Sequence, residues 1–165
     1  MKTILAALLL SITAACGTTS TNQHQESSMN RSDAMRIKLA SVYVDDQDKA
    51  LRFYTEVLGF SKAKDVSNGG YRWLTVASPD EPDGTELQLA LNADPAAKAY
   101  QQAMFQQAQP AANFYADDVQ ATYERIKKNG GEFTMPPTDV MPGVTIAILN
   151  DTCGNLIQIT HLAHR

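Results

Sequence analysis

The segments GTELQLAL (84–91) and GNLIQITH (154–161) follow one plan. In each, a glycine that can turn the chain leads into a strand where apolar side chains alternate with others. In each, the fifth residue is a glutamine, Gln88 or Gln158, at an offset of 70. Thr75 and Thr145 match at the same offset. A repeat of this size is too long for a solenoid unit and points to one module used twice.

The first copy begins with the strand IKLASVYV (37–44), then Asp45-Asp46 and an amphipathic run ending at Gly59-Phe60. The second begins with AANFYA (111–116), then Asp117-Asp118 and a run ending at Gly130-Gly131. An Asp pair before a helix satisfies free N–H groups and meets the positive end of the dipole. Ala50, Leu51, Tyr54, Val57 and Leu58 keep helical spacing in the first run, and Tyr123, Ile126 and Lys127 keep it in the second. Three strands then follow in each copy, at about 60–66, 71–78 and 85–91, and at about 132–135, 143–149 and 155–161. The expected fold is α+β: two βαβββ modules whose sheets form one open, curved surface, with the helices outside. Between them, Asp94, Pro95 and Pro110 bound a helix whose apolar face is Ala97, Tyr100, Met104 and Phe105. It packs on the domain edge, or acts as a lid or dimer contact.

With 165 residues, the chain has room for one domain and an attachment. The formal charge of −4 is spread without a basic patch, which argues against nucleic acid as the partner. The attachment is N-terminal. Lys2, the apolar run Ile4–Ile12 and small residues before Cys16 make a secretory signal, too short to span a bilayer. Ala14-Ala15-Cys16 resembles a bacterial lipobox, which implies that Cys16 is lipidated and the mature protein anchored at the periplasmic face of the outer membrane. An ordinary signal peptide is the alternative. The expected organisation is thus a signal peptide (1–15), a lipidated Cys16 with a polar tether (16–35) and a domain (36–165). The tether cannot bury enough apolar surface to fold and spans on the order of 25 Å. Cys153 is then left without a disulfide partner and is expected as a small turn residue.

VYVDDQDKALRFYTEVLGF (42–60) together with DTCGNLIQITH (151–161) resembles the vicinal oxygen chelate superfamily, which includes glyoxalase I, bleomycin-resistance proteins and extradiol dioxygenases. The likeness covers about residues 36–161. It implies a divalent ion held by the first and last strands of each module, at Leu39, Gln88, Ala111 and Gln158. Leucine and alanine offer no lone pair, and two neutral amides are poor donors for a transition metal. The expectation is a lost metal site, no cofactor, and a fold that leans away from metal-dependent catalysis.

Alternation then says which side chains line the open face. Gln88 and Gln158 carry with them Glu86, Ala90, Leu156 and Thr160, the first-strand residues Leu39, Ser41 and Tyr43, and Asn113 and Tyr115; Trp73, Thr75 and Thr145 are expected to join them. The opposite set, Val42, Val44, Leu87, Leu89, Phe114, Ile157 and Ile159, is uniformly apolar, as a face against helices should be. Amides, hydroxyls and rings with Glu86 as the one charge suit a neutral or cationic small organic molecule; the alternative is a closed face of mutually bonded side chains. Glu86 is a weak candidate for a general base, if burial raises its pKa. His24, His161 and His164 are expected to be solvated. Three functions follow: a metal-free small-molecule binding protein tethered to the envelope, as a monomer or homodimer; a glyoxalase-like lyase or dioxygenase with unconventional ligands; or a structural module of the envelope.

Overall fold

The computed structural model describes residues 34–163. The signal segment, Cys16, His24, most of the tether and His164 lie outside the described residues. The remainder is α+β with the expected two modules. The first comprises β1 (Leu39–Val44), α1 (Gln47–Arg52, continued by a π-turn over Phe53–Val57), β2 (Ser61–Asn68), β3 (Tyr71–Ala77) and β4 (Glu86–Leu91). After α2 (Pro95–Gln106), the second comprises β5 (Pro110–Tyr115), α3 (Val119–Lys128), β6 (Glu132–Met141), β7 (Val144–Asn150) and β8 (Leu156–Leu162). The strands form two open four-stranded sheets, in the orders β1-β4-β3-β2 and β5-β8-β7-β6. In each, the first strand pairs parallel with the last, and the other pairings are antiparallel.

The helix starts are set as the Asp pairs predict. Asp46 accepts from the N–H groups of Asp48 and Lys49, both at 2.9 Å, and Asp118 from Ala121 N at 2.9 Å. Within the π-turn Tyr54 is fully buried, and its hydroxyl donates to Asp151 Oδ2 at 3.2 Å.

One core joins the two modules. Val42, Val44, Leu87 and Leu89 from the first sheet and Ala147, Leu149, Ile157 and Ile159 from the second are all buried with Phe53, Tyr54 and Ile126. The apolar set assigned to the helix side from alternation is therefore the set that packs. Across the helices, Arg125 Nη1 donates to Leu58 O at 3.0 Å and Asn129 Nδ2 to Val57 O at 3.3 Å. Gly131 is needed at this junction, because a Cβ there would sit 2.4 Å from Ile126 Cγ2.

Two local expectations change. The strand expected to stop at 135 runs on to Met141, through Pro136 and Pro137. Its position at the sheet edge explains this: an edge strand tolerates proline because one side of its ladder is unpaired, and the register shifts repeatedly there. Helix α2 buries Gln101 (5% exposed) rather than its aromatics, while Tyr100 and Phe105 remain exposed. The Gln101 amide donates to Tyr43 O at 2.6 Å and Cys153 O at 2.9 Å, and its oxygen accepts from Asn92 Nδ2 at 2.6 Å. A row of carbonyls needed a donor more than the helix needed an apolar stripe.

Candidate functional site

The open face of the first sheet is built by register. Leu39, Ser41 and Tyr43 lie beside Glu86, Gln88 and Ala90, and Thr75 lies opposite Gln88. Side chains at paired positions share a face, and alternation along β3 adds Trp73 and Tyr71. On β2, Lys64 pairs with Thr75 and Val66 with Trp73. The polar groups are wired together. Ser41 donates to Gln88 Oε1 at 2.9 Å, and Gln88 Nε2 donates to Tyr71 Oη at 2.7 Å. Thr75 donates to Glu86 Oε2 at 2.7 Å, and Lys64 Nζ pairs with Glu86 Oε1.

Glu86 thus differs from its expected role. The hydrogen bond from Lys64, and then that from Thr75, hold its carboxyl below the ordinary glutamate value, against a smaller opposing effect of burial. A carboxylate neutralised by an ammonium is a poor proton acceptor. It is also not the lone charge of the face, since Lys64 stands beside it. Trp73, Leu39, Lys38, Lys64 and Glu86 line a hollow of about 450 Å³ together with Pro82, Asp83 and Gly84.

On the second sheet, Asn113 pairs with Gln158 and Tyr115 with Thr160. Gln158 Nε2 donates to Thr160 Oγ1 at 3.0 Å, which donates on to Asn113 Oδ1 at 2.7 Å. Tyr115 is 67% exposed, a large ring with little covering it. Leu156, also assigned to this face, is buried at its start.

Thr145 does not belong to this face. It pairs with His161, on the side of Ala147 and Leu149, and donates to Asp139 Oδ1 at 2.6 Å. The residue opposite Gln158 is Ile148. The reason is the turn: 151–155 is three residues shorter than its counterpart 78–85, so the offset of 70 that matches the glutamines does not hold across it. The open face of the second module is accordingly more apolar, with Ile146 opposite Thr160 and Ile148 opposite Gln158. His161, expected to be solvated, is half-buried, with Nδ1 3.3 Å from Ala116 O.

The four positions corresponding to metal ligands carry little donor chemistry. Leu39 has none, and Ala111 falls where the β5–β8 register shifts and has no ladder partner. The Gln88 oxygen already accepts from Ser41. Among the described residues no group of three or more His, Cys, Asp or Glu side chains is placed to hold a metal ion. The residues present therefore do not fit a divalent transition metal.

The other cluster of titratable groups is structural. Asp151, fully buried, accepts from Cys153 N and Asn155 N at 2.8 Å each and from Asn155 Nδ2 at 2.6 Å, besides Tyr54. Burial pushes its carboxyl above the ordinary value against the pull of these donors. Burial also pushes the Cys153 thiol up to about 12, which leaves it unreactive, in line with its expected place in a turn. Sequence reading missed Tyr71, Lys64 and Val66 on the open face. Alternation on β2 and β3, carried across from Thr75, was the signal that would have found them.

Residues 36–159 match the family model described as the Glyoxalase/Bleomycin resistance protein/Dioxygenase superfamily. The uncharacterized protein YurT of Bacillus subtilis (strain 168) is 54% identical over 125 residues, which is 76% of this chain and 98% of that one. A probable lactoylglutathione lyase of Vibrio cholerae serotype O1 is 32% identical, over 75% of this chain and 88% of that one. Among solved structures, UcmS2 superposes with a TM-score of 0.69 at 30% identity, over 77% of this chain and 98% of the other. TnmS3, an antibiotic binding protein from Streptomyces sp. CB03234, does so with 0.63 at 27%, over 79% and 98%.

Proposed function

The chain belongs to the glyoxalase/bleomycin resistance protein/dioxygenase superfamily, and from that premise we propose that it binds a small organic molecule on its open sheet faces, without a metal ion, while tethered to the bacterial envelope. The observation that carries this reading is the Ser41–Gln88–Tyr71 chain of hydrogen bonds beside Trp73. The buried Gln88 amide holds the exposed Ser41 and Tyr71 hydroxyls in place next to a large ring on an open surface, where ring area supplies affinity and the polar groups set orientation. The antibiotic-binding neighbour TnmS3 supports the same ligand class. Because Lys64 neutralises Glu86, the face favours a neutral, polar aromatic compound over a cation.

The test is to recover compounds that copurify with the protein, identify them by mass spectrometry, and titrate them back. Trp73→Ala and Gln88→Ala are each expected to weaken binding about tenfold or more, and chelator treatment to leave it unchanged. Affinity retained in both variants would sink the site. Stoichiometric metal in protein purified without chelator, with binding or turnover lost on its removal, would favour the lyase reading that the Vibrio relative raises.

The envelope address rests on the sequence Ala14-Ala15-Cys16 behind Lys2 and an apolar run. Cells fed labelled palmitate are expected to incorporate it into the wild-type chain and not into Cys16→Ser. Equal labelling of both, or of neither, would overturn the anchor.

A further inference from the structure

We propose that the seam between the two modules is a second binding site, for an organic monocation with an apolar body such as an arylammonium compound. The floor of the seam is apolar: Leu58 and Phe60 from the end of α1 meet Phe114 and Ile159 of the second sheet, with the Phe60 and Phe114 rings 5.0 Å apart and nearly perpendicular. An inner hollow of about 120 Å³ and an outer one of about 550 Å³ share Leu58, Phe60 and Arg125 as walls. The rim carries Asp80 and Glu81 from the turn after β3, Asp117 from the turn before α3, and Arg125.

Charge and chemistry select the ligand. All three carboxylates are exposed, and among the described residues none of their side chains makes an ion pair or a hydrogen bond. The Arg125 guanidinium is tied to Leu58 O at 3.0 Å and is outnumbered. An anion would meet three like charges there. A divalent metal ion would need a shell of about six or more oxygens, which an apolar floor does not offer. An ammonium group attached to a ring satisfies both parts of the seam, the charge meeting the carboxylates and the ring packing on Leu58 and the phenyl rings. The overall charge of −4 favours the approach of a cation as well.

No residue of the Trp73–Gln88 face lines this seam, although Tyr115 of the second open face lines both hollows, so Trp73→Ala separates the two readings. Amide NMR spectra of the full chain, titrated with 2-phenylethylammonium, 2-phenylethanol and 3-phenylpropanoate, test it. The ammonium compound alone is expected to saturate, shifting Gly59, Phe60 and Ala116. The triple variant Asp80→Asn, Glu81→Gln, Asp117→Asn is expected to weaken it about tenfold or more, with the rest of the spectrum unchanged, and Trp73→Ala to leave it untouched. The proposal is overturned if the neutral alcohol binds as well, if the triple variant keeps its affinity, if the shifts map to Trp73 and Gln88, or if calcium ions alone reproduce them.

Discussion

Asp151→Ala is expected to destabilise the domain by about 3–4 kcal/mol, the largest effect of any exchange outside the apolar core. The side chain is fully buried and is the common acceptor for Cys153 N, Asn155 N, Asn155 Nδ2 and Tyr54 Oη. Removing it leaves two backbone N–H groups and two side-chain donors without a partner where water does not reach. Each orphaned donor costs about 1–3 kcal/mol, less what local relaxation recovers. Because Tyr54 belongs to the first module and Asp151 to the second, the loss loosens the join between them as well as the turn. Urea unfolding measures it: the midpoint should fall by about 1.5–3 M for a domain of this size. Asp151→Asn, which keeps one acceptor oxygen, should lose less. A midpoint within about 0.3 M of wild type for the alanine variant would show that the backbone alone holds the turn.

Gln101→Leu is the second large effect, at about 2–3 kcal/mol. Leucine keeps most of the volume but cannot donate, so Cys153 O loses this partner and Tyr43 O keeps only Asn155 Nδ2, at 2.8 Å. Asn92 Nδ2 also loses its acceptor. The consequence reaches the open face, since Tyr43 sits there and its ring meets Tyr100 of α2 edge-on, with centroids 6.5 Å apart. Hydrogen exchange over α2 should accelerate together with the drop in stability. If the leucine variant unfolds at the wild-type midpoint with α2 still protected, apolar contacts hold the helix and the amide is incidental.

Much of the open face was legible in advance. Residues paired by parallel strands share a face, so locating Gln88 and Gln158 also located Ser41, Tyr43, Asn113 and Tyr115, and the apolar face opposite them packs as alternation requires. What escaped was whatever depended on a partner from a distant segment. The state of Glu86 is decided by Lys64 on a strand two positions away in the sheet, and the exposure of Tyr100 by carbonyls of β1 and the turn after β7.

The amino-acid sequence by itself determined the two-module plan, the helix starts and the two faces of each sheet, because these follow from local periodicity and local hydrogen bonding. Only the tertiary structure decided which residues meet across a sheet and across the modules. Thr75 faces Gln88, yet Ile148 rather than Thr145 faces Gln158, because two turns of different length set two registers. Gln101 is buried although its helix carries exposed aromatics, because three carbonyl and amide oxygens, one from β1 and two from the turn after β7, converge on it. Periodicity fixes where a side chain points. It does not fix what has been brought to meet it, since that depends on turn lengths and long-range pairings that leave no period in the chain.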